Sequence, residues 1–226
     1  MLKVDHITIG YGDRMLCKDI SFELVPGECV LLAGANGTGK TTLLKALASS
    51  RVILIPTNIP KVKGFSVESF IHTGCYQESD WKGRISKEVE MKMEEALDVL
   101  GIQELKGRDI STLSDGEFKK ACLAVGLTRR AEVLLLDEPT AFLDVENRIS
   151  VLRTLRDVAR KTGTAILFSS HDLHDALKVA DHVFVLTRDG RFLASSPVIS
   201  SEVEKSEVEK SKDAVLRAAF PNLSTL

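Results

Sequence analysis

The sequence lacks a long apolar run: no stretch of its 226 residues approaches the roughly twenty consecutive apolar residues that span a bilayer. Residues 1–6, which include a lysine, an aspartate and a histidine, do not begin an apolar secretory leader. We therefore predict a cytoplasmic chain. It would reach the cytoplasmic face of a membrane only as a peripheral subunit, through a partner protein.

The sequence also lacks an excess of either charge, with 30 basic and 32 acidic residues and a formal net charge of −2. Proteins that bind nucleic acid irrespective of its sequence normally show a strong basic excess. We therefore predict no nucleic-acid partner, although a local basic patch would leave this total unchanged.

Cysteine is scarce, and its spacing is not that of a metal or redox motif. The four cysteines are Cys17, Cys29, Cys75 and Cys122. None has a C-x-x-C partner and two lie in apolar patterns, so we predict reduced core residues. Hydrophobic residues make up 44% of the chain. That content suits one domain with an inserted subdomain and a substantial core.

A phosphate-binding pattern dominates the first quarter of the chain. Residues 34–41 match G-x-x-x-x-G-K-S/T in full, after an apolar run at 29–33 and before a helix-like run at 41–47. Its glycines let the backbone turn tightly, so that successive N–H groups face the phosphates at the mouth of a helix. Lys40 would reach the β- and γ-phosphates, and the Thr41 hydroxyl would bind Mg²⁺.

The predicted nucleotide-binding residues of this loop are Gly34, Asn36, Gly37, Thr38, Gly39, Lys40, Thr41 and Thr42. A glycine-rich turn that binds nothing is the alternative interpretation.

Two carboxylates follow the apolar run at 133–136. Asp137, at the carboxyl end of a predicted parallel strand, would contact Mg²⁺ through a water molecule. Glu138 points in a different direction and would accept the proton of the water that attacks the γ-phosphorus. Glu138 is therefore the predicted general base; a solvated acid after a strand is the alternative.

The segment Leu-Ser-Asp-Gly-Glu at 113–117 precedes a helix-like run with apolar residues on one side. A helix N-terminus at Ser114 would favour a phosphate in front of it. A capping residue without any ligand would also explain Ser114.

These motifs stand in a fixed order: the P-loop, Leu-Ser-Asp-Gly-Glu, Leu-Leu-Leu-Asp-Glu-Pro-Thr at 134–140, Phe-Leu-Asp at 142–144, and an isolated His171. The set resembles ABC ATPases, and more narrowly the nucleotide-binding subunits of ABC transporters, over most of residues 1–197. The resemblance implies one nucleotide-binding domain over 1–226 that hydrolyses ATP with Mg²⁺.

The resemblance further implies a head-to-tail homodimer. Ser114 and Gly116 of one copy would close over ATP held in the P-loop of the other, and Asp144 would lie at the seam between copies. His171 would contact the γ-phosphate and link hydrolysis to closure; a purely structural histidine is the alternative. Tyr11, between two glycines, lies where the family places a ring against adenine, although an ordinary hairpin turn would also explain those glycines.

Leu-Ser-Asp-Gly-Glu at 113–117 is called the signature segment below. Two departures from the family pattern lie between the helix-like run at 41–47, which follows the P-loop, and this segment. Thr57 follows Pro56 where relatives usually carry a glutamine that contacts Mg²⁺ or water. The chain also passes almost directly from Leu47 to Val52, so we expect a reduced antiparallel edge. Both departures bear on coupling to a membrane partner more than on ATP binding.

The alternation of strand-like and helix-like segments predicts an α/β fold with a mainly parallel sheet, and the resemblance makes it a RecA-like P-loop NTPase fold. We expect an N-terminal antiparallel β part of two or three strands and an inserted helical subdomain at about 60–130. One helical stripe in it comprises Ile85, Val89, Met93, Ala96, Leu97 and Leu100. A second stripe comprises Ile149, Leu152, Leu155 and Val158.

The charged tail at about 198–226 repeats Ser-Glu-Val-Glu-Lys at 201–205 and 206–210. It predicts a solvated linker or helix, with a regulatory or docking role as a further possibility. The apolar residues at 214–220 would pack on the core or on a second copy.

Three functional hypotheses remain at this stage. The first is the ATP-hydrolysing subunit of an ABC transporter, which drives a membrane permease, with importers of iron chelates, haem or cobalamin as the nearest resemblance and a solute-binding protein as an indirect partner. The second is a soluble ABC ATPase that acts on ribosomes, DNA or Fe–S assembly. The third, motivated by Thr57 and the short edge, is a regulatory subunit that only binds nucleotide.

Overall fold

The computed structural model describes residues 1–75, 85–195 and 205–220, with side chains of the last range described from residue 210 onward. The strands are β1 Leu2–Tyr11, β2 Arg14–Leu24, β3 Cys29–Gly34, β4 Val52–Ile55, β5 Val133–Leu136, β6 Ala165–Ser169, β7 His182–Leu186 and β8 Phe192–Ala194. The helices are α1 Lys40–Leu47, α2 Val67–Gly74, α3 Lys87–Leu100, α4 Asp115–Thr128, α5 Val145–Thr162, α6 Leu173–Val179 and α7 Lys205–Ala219.

The central sheet has six strands in the order β4-β5-β6-β3-β7-β8. All neighbours pair in parallel except β7 and β8, which form an antiparallel pair. Because β6 lies between β3 and β5, the loops that follow these three strands meet at one edge of the sheet. The predicted P-loop, Asp137 and His171 stand in those three loops.

The N-terminal antiparallel part is a hairpin of two strands, β1 and β2, in which Tyr11 pairs with Arg14 across a two-residue turn. The sequence predicted two or three strands in this part, and the described structure has two. This hairpin lies outside the six-stranded sheet. Its turn brings Tyr11 towards the P-loop.

Two hydrophobic clusters lie on opposite faces of the sheet, and alternate residues of β3 divide between them. Cys29 and Leu31 belong to the cluster with α2 to α6, whereas Val30 and Leu32 belong to the cluster with the hairpin and α1. A strand covered on both faces needs apolar side chains at every position. The four cysteines are free and buried, as predicted.

The helices α2, α3 and α4 lie between β4 and β5 and pack on one another. The predicted stripe of α3 is buried, and the helix ends at Gly101, which takes a left-handed φ of 62°. Ile85 precedes α3 and is half-buried, so it extends the stripe beyond the helix itself. Part of the predicted subdomain, 76–84, lies outside the described residues, and its limits stay a prediction.

The tail contains a helix, α7, which packs on β7 and β8. Leu216 is buried in the core cluster, with Val215, Ala219 and Phe220 against it. Ala214 and Ala218 are exposed. The first copy of the tandem repeat, up to residue 204, lies outside the described residues.

Candidate nucleotide site

The P-loop joins β3 to α1 in a conformation that depends on glycine. Gly39, directly before α1, has a φ of 104°, which side chains other than hydrogen rarely allow. At Gly34 an added Cβ would lie 2.7 Å from the carbonyl oxygen of Leu186. The loop therefore packs closely against β7 at its start, and α1 begins directly after its end. Its N–H groups lie at the N-terminus of α1.

Lys40 is buried and folds back on the loop. Its Nζ donates hydrogen bonds to the carbonyl oxygens of Gly34 at 2.8 Å and of Ala35 at 3.3 Å. Burial lowers the pKa of the Lys40 ammonium, while the carboxylates of Glu138 and Asp137 act in the opposite direction. The ammonium thus faces both acids from within the loop that would hold the phosphates.

A chain of hydrogen bonds joins the start of α1 to the ends of β5 and β6. The Thr41 hydroxyl donates to Asp137 Oδ2 at 2.8 Å, and the Ser169 hydroxyl donates to Asp137 Oδ1 at 3.0 Å. The same Ser169 oxygen accepts from the backbone N–H of Glu138 at 2.9 Å. Both carboxylate oxygens of Asp137 are therefore fixed beside the start of α1, where hard oxygen ligands suit Mg²⁺.

Glu138 and His171 face each other across the ends of β5 and β6. The His171 Nε2 lies 3.0 Å from Glu138 Oε1. Burial raises the pKa of the Glu138 carboxyl, while nearby His171 and Lys40 oppose that rise. A raised pKa makes a carboxylate a better proton acceptor. Glu138 therefore has the chemistry of a general base, with His171 as its neighbour.

These groups line one cavity of about 520 Å³. The lining residues are Tyr11, Arg14, Leu16, Asn36, Gly37, Gly39, Lys40, Thr41, Thr42, Thr57, Asp137, Glu138 and His171. Tyr11 is 60% exposed, so its ring is open to a flat partner. The cavity thus offers an aromatic face at one end, backbone donors and a lysine in the middle, and two acids with a histidine beyond them.

Two loop residues predicted to bind nucleotide lie behind this surface. Gly34 is buried against β7, and the buried Thr38 hydroxyl donates to the carbonyl oxygen of Ala35 at 3.0 Å. In the described structure neither belongs to the lining of the cavity. Their geometry gives them a part in holding the loop's shape.

The predicted signature residues lie elsewhere. Ser114 caps α4: its hydroxyl accepts from the backbone N–H of Glu117 at 3.3 Å, and its own N–H donates to the Glu117 carboxylate at 2.8 Å. The hydrogen bonds that the Ser114 N–H and hydroxyl donate to the Glu117 carboxylate hold the pKa of Glu117 below its usual range. The capping box leaves an exposed helix N-terminus, and neither Ser114 nor Gly116 lines the cavity of this chain.

Asp144 is also outside the cavity and lies next to the signature segment. It caps α5, where its carboxylate accepts from the backbone N–H of Asn147 at 2.8 Å and from the Asn147 side chain at 2.9 Å. A Cβ on Gly116 would approach Asn147 Oδ1 to 3.0 Å. Within one copy of the chain, Asn147 therefore binds Asp144 and packs closely against Gly116.

Sequence reasoning missed three residues of this region. Arg14 and Leu16 line the cavity: Arg14 pairs with Tyr11 across the hairpin turn, and Leu16 packs against Gly39 of the P-loop. Ser169 had no predicted role, yet its hydroxyl holds Asp137. The signal for Ser169 was its place at the end of a strand, but the neighbouring order of β5 and β6 was needed to use it.

Comparison with known proteins identifies the family. A family model described as ABC transporter matches residues 17–141. Because this match covers more than half of the chain, the chain belongs to the ABC transporter family, and like the ATP-binding proteins of that family it is an ATPase.

Individual relatives agree with this assignment. Zinc import ATP-binding protein ZnuC of Jannaschia sp. is 30% identical over 220 residues, which cover 90% of this chain and 86% of that protein. Ferric enterobactin transport ATP-binding protein FepC of Escherichia coli is 28% identical over 218 residues, which cover 85% and 80%. A solved nucleotide-free ATP-binding cassette from an ABC transporter has the same fold, with a TM-score of 0.75, 17% identity and coverage of 95% and 96%.

Proposed function

We propose that two copies of this chain bind two ATP molecules between them, hydrolyse them with Mg²⁺, and so drive a membrane permease that imports a small solute. Each ATP would lie in the cavity of one copy and under the signature segment of the other. Closure of the two copies on ATP would drive the permease between its orientations, and hydrolysis would reopen them.

One observation carries the proposal of a shared site. The N-terminus of α4 is well capped and lies outside the cavity of its own chain; Ser114 and Asp115 are exposed there, whereas Gly116 is buried. A second copy placed head to tail would supply that N-terminus to the open side of the cavity, where its partial positive charge favours a phosphate. Asp144, which is hydrogen-bonded to Asn147 beside Gly116, would then lie at the seam.

The residues present fit a magnesium ion. The Thr41 hydroxyl and the Asp137 carboxylate are 2.8 Å apart at the mouth of α1, and both are oxygen ligands. Within the described ranges, no group of three or more His, Cys, Asp or Glu side chains is placed to hold a metal by itself. This agrees with an ion that takes its remaining ligands from phosphates and water; when bound, it would neutralise charge on the phosphates.

In this mechanism each protein group has one task. The loop N–H groups and Lys40 bind the phosphates, and Tyr11 stacks on the base. Glu138 accepts a proton from the attacking water, and its burial, which raises its pKa, suits it to that task. His171, 3.0 Å from Glu138, contacts the γ-phosphate and connects its presence to the position of the base.

The partner and the solute are proposals that rest on relatives. The names of the two relatives above refer to ferric enterobactin transport and to zinc import, which supports a metal or a metal chelate as cargo. An iron chelate is our first candidate, with haem and cobalamin next. Among the residues that the structure describes, no helix combines the length and apolar character needed to cross a membrane.

Affinity purification from native cells tests this function. The tagged chain would be captured in mild detergent, and all eluting proteins would be identified by mass spectrometry. The Lys40→Ala variant is the control: it should capture the same partners, because the complex should not depend on hydrolysis. A multi-spanning permease in stoichiometric amount is the expected result, with or without a solute-binding protein. Only soluble partners would overturn the transport proposal in favour of a soluble ABC ATPase.

A further inference from the structure

A short segment connects the nucleotide cavity to the signature helix within one copy of the chain. Residues 57–61 follow β4, whose last residue, Ile55, accepts a hydrogen bond from the backbone N–H of Asp137 at 3.0 Å. Thr57 lines the nucleotide cavity. The other end of the segment, Lys61, lies against the N-terminus of α4.

Lys61 makes three contacts with the signature region. Its Nζ donates to the carbonyl oxygen of Leu113 at 2.8 Å and to the Asp115 carboxylate at 2.7 Å. The same ammonium lies 5.5 Å from the centre of the Phe118 ring, within cation–π range. These three partners flank the cap residue Ser114 and the first turn of α4.

Lys119 binds the segment from the opposite side. It stands in the second turn of α4, and its Nζ donates to the carbonyl oxygen of Thr57 at 2.9 Å. Its side chain is half-buried, and burial lowers the pKa of its ammonium. One lysine on the segment thus binds the helix, and one lysine on the helix binds the segment.

We propose that Lys61 and Lys119 form a lysine clamp that joins the segment 57–61 rigidly to the signature helix, so that the cavity edge at Thr57 and the N-terminus of α4 keep a fixed relative position. Both are positioning residues. This inference rests on the proposed function, because the position of α4 matters for catalysis only if α4 closes over ATP in the second copy.

The chemistry of the chain makes the clamp specific. The side chain of Thr57 is short. The connection between the segment 57–61 and α4 is made instead by the two lysines, which donate hydrogen bonds to backbone carbonyl groups. The carboxylate at position 115 gives Lys61 an anionic partner next to the helix cap. Exchanging the charges at positions 61 and 115 therefore tests the contribution of this ion pair separately from the other contacts that each residue makes.

The test uses full-length chains that carry Glu138→Gln, so that bound ATP is not consumed. The dimerisation constant in Mg-ATP would be measured by sedimentation velocity for this parent, for added Lys61→Asp, for added Asp115→Lys, and for both together. Lys61→Met keeps the aliphatic stem over Phe118 and removes only the donor. Lys106→Asp is the matched control, because Lys106 forms ion pairs with Glu68 and Glu94 in the same helical region.

We expect the parent to dimerise with ATP and each single charge change at 61 or 115 to weaken dimerisation by about tenfold. The exchanged pair should return to near the parent value, Lys61→Met should weaken dimerisation, and Lys106→Asp should not. Affinity for a fluorescent ATP analogue, measured on dilute monomers, should be the same in all variants.

Two outcomes overturn different statements. If the parent dimerises and the changes at 61 and 115 leave its dimerisation constant unaltered, or if the exchanged pair is as weak as the single variants, the clamp is wrong and the shared site stands. If the parent itself stays monomeric with ATP, the shared site is wrong, and the role of the clamp in placing α4 for a second copy is wrong with it.

Discussion

At Glu138 the backbone takes a φ of 48°, a region that residues other than glycine seldom enter. The hydrogen bond from its N–H to Ser169 holds the backbone here, and the side chain lines the cavity beside His171. A strained conformation of this kind is retained where surrounding contacts determine it, often at functional sites. The strain is therefore an argument that Glu138 has a task other than a second metal contact.

The first prediction concerns the loss of this carboxylate. Glu138→Gln keeps the size of the side chain but removes the proton acceptor, so turnover of ATP should fall by about 10²- to 10⁴-fold. Binding of a fluorescent ATP analogue should be retained. Steady-state phosphate release and equilibrium titration measure the two effects.

Glu132→Gln, on an exposed acid near the start of β5, is the matched control and should keep normal turnover. Unchanged turnover in Glu138→Gln would remove Glu138 from the mechanism.

The second prediction concerns pH. The base must be ionised to act, and burial raises the pKa of Glu138, so activity should be lost on acidification at a higher pH than for an ordinary glutamate with a pKa of about 4.3. His171 lowers the pKa of Glu138, so His171→Gln should move this acidic limb to still higher pH. The profile of kcat/KM against pH measures both, and a limb that does not move in His171→Gln contradicts the prediction.

At the scale of elements, periodicity determines what the sequence can predict. The apolar spacing of α3 was enough to predict its existence and its buried face. The continuous apolar runs at 29–33 and 133–136 indicated the buried strands β3 and β5, and the family assignment confirms the fold that contains them.

The order of the strands within the sheet was harder to predict from the sequence. Nothing in the spacing of residues places β6 between β3 and β5, and the bond from Ser169 to Asp137 depends on that order. The clamp of Lys61 and Lys119 was missed for a related reason: isolated lysines show no pattern, and their partners are backbone carbonyl groups, which every residue has.

The third prediction concerns the tail helix, whose packing was one of two alternatives. Leu216 is 4% exposed and belongs to the main core cluster, so Leu216→Ala should lower the free energy of unfolding by about 2–5 kcal/mol. ATP turnover at low temperature should not change, because α7 does not line the cavity. Urea unfolding followed by circular dichroism measures the loss.

Arg217→Ala, at the exposed neighbouring position, serves as the control and should have little effect on unfolding. Equal midpoints for the two variants would show that the packing of α7 does not stabilise the domain.

At the scale of the whole molecule, the cavity of one copy holds every predicted catalytic residue but not the predicted signature residues. Its described lining includes Thr57, Glu138 and His171 but neither Ser114 nor Gly116. The proposed shared site therefore has a consequence for mixtures of chains. Two variants that are each inactive should restore one another when the damaged parts come from different copies.

The fourth prediction uses Lys40→Ala, which disables the P-loop, and Ser114→Asp, which disables the signature segment. Aspartate at 114 still caps the helix but repels a phosphate in front of it, whereas Ser86→Asp makes the same change at the cap of α3 and should keep activity. Each inactive variant alone should show little turnover. Mixed in equal amounts they should recover about a quarter of the normal rate, because half of randomly formed dimers are mixed and each mixed dimer has one intact site.

Phosphate release across a series of mixing ratios measures this recovery, which should be greatest at equal amounts and should depend on total concentration as dimers form. Recovery requires that the P-loop of one copy work with the signature segment of the other. If both variants are inactive alone, form mixed dimers and still release no phosphate together, independent sites shared between two copies are ruled out. If Ser114→Asp alone is fully active, the signature segment does not contact the phosphate.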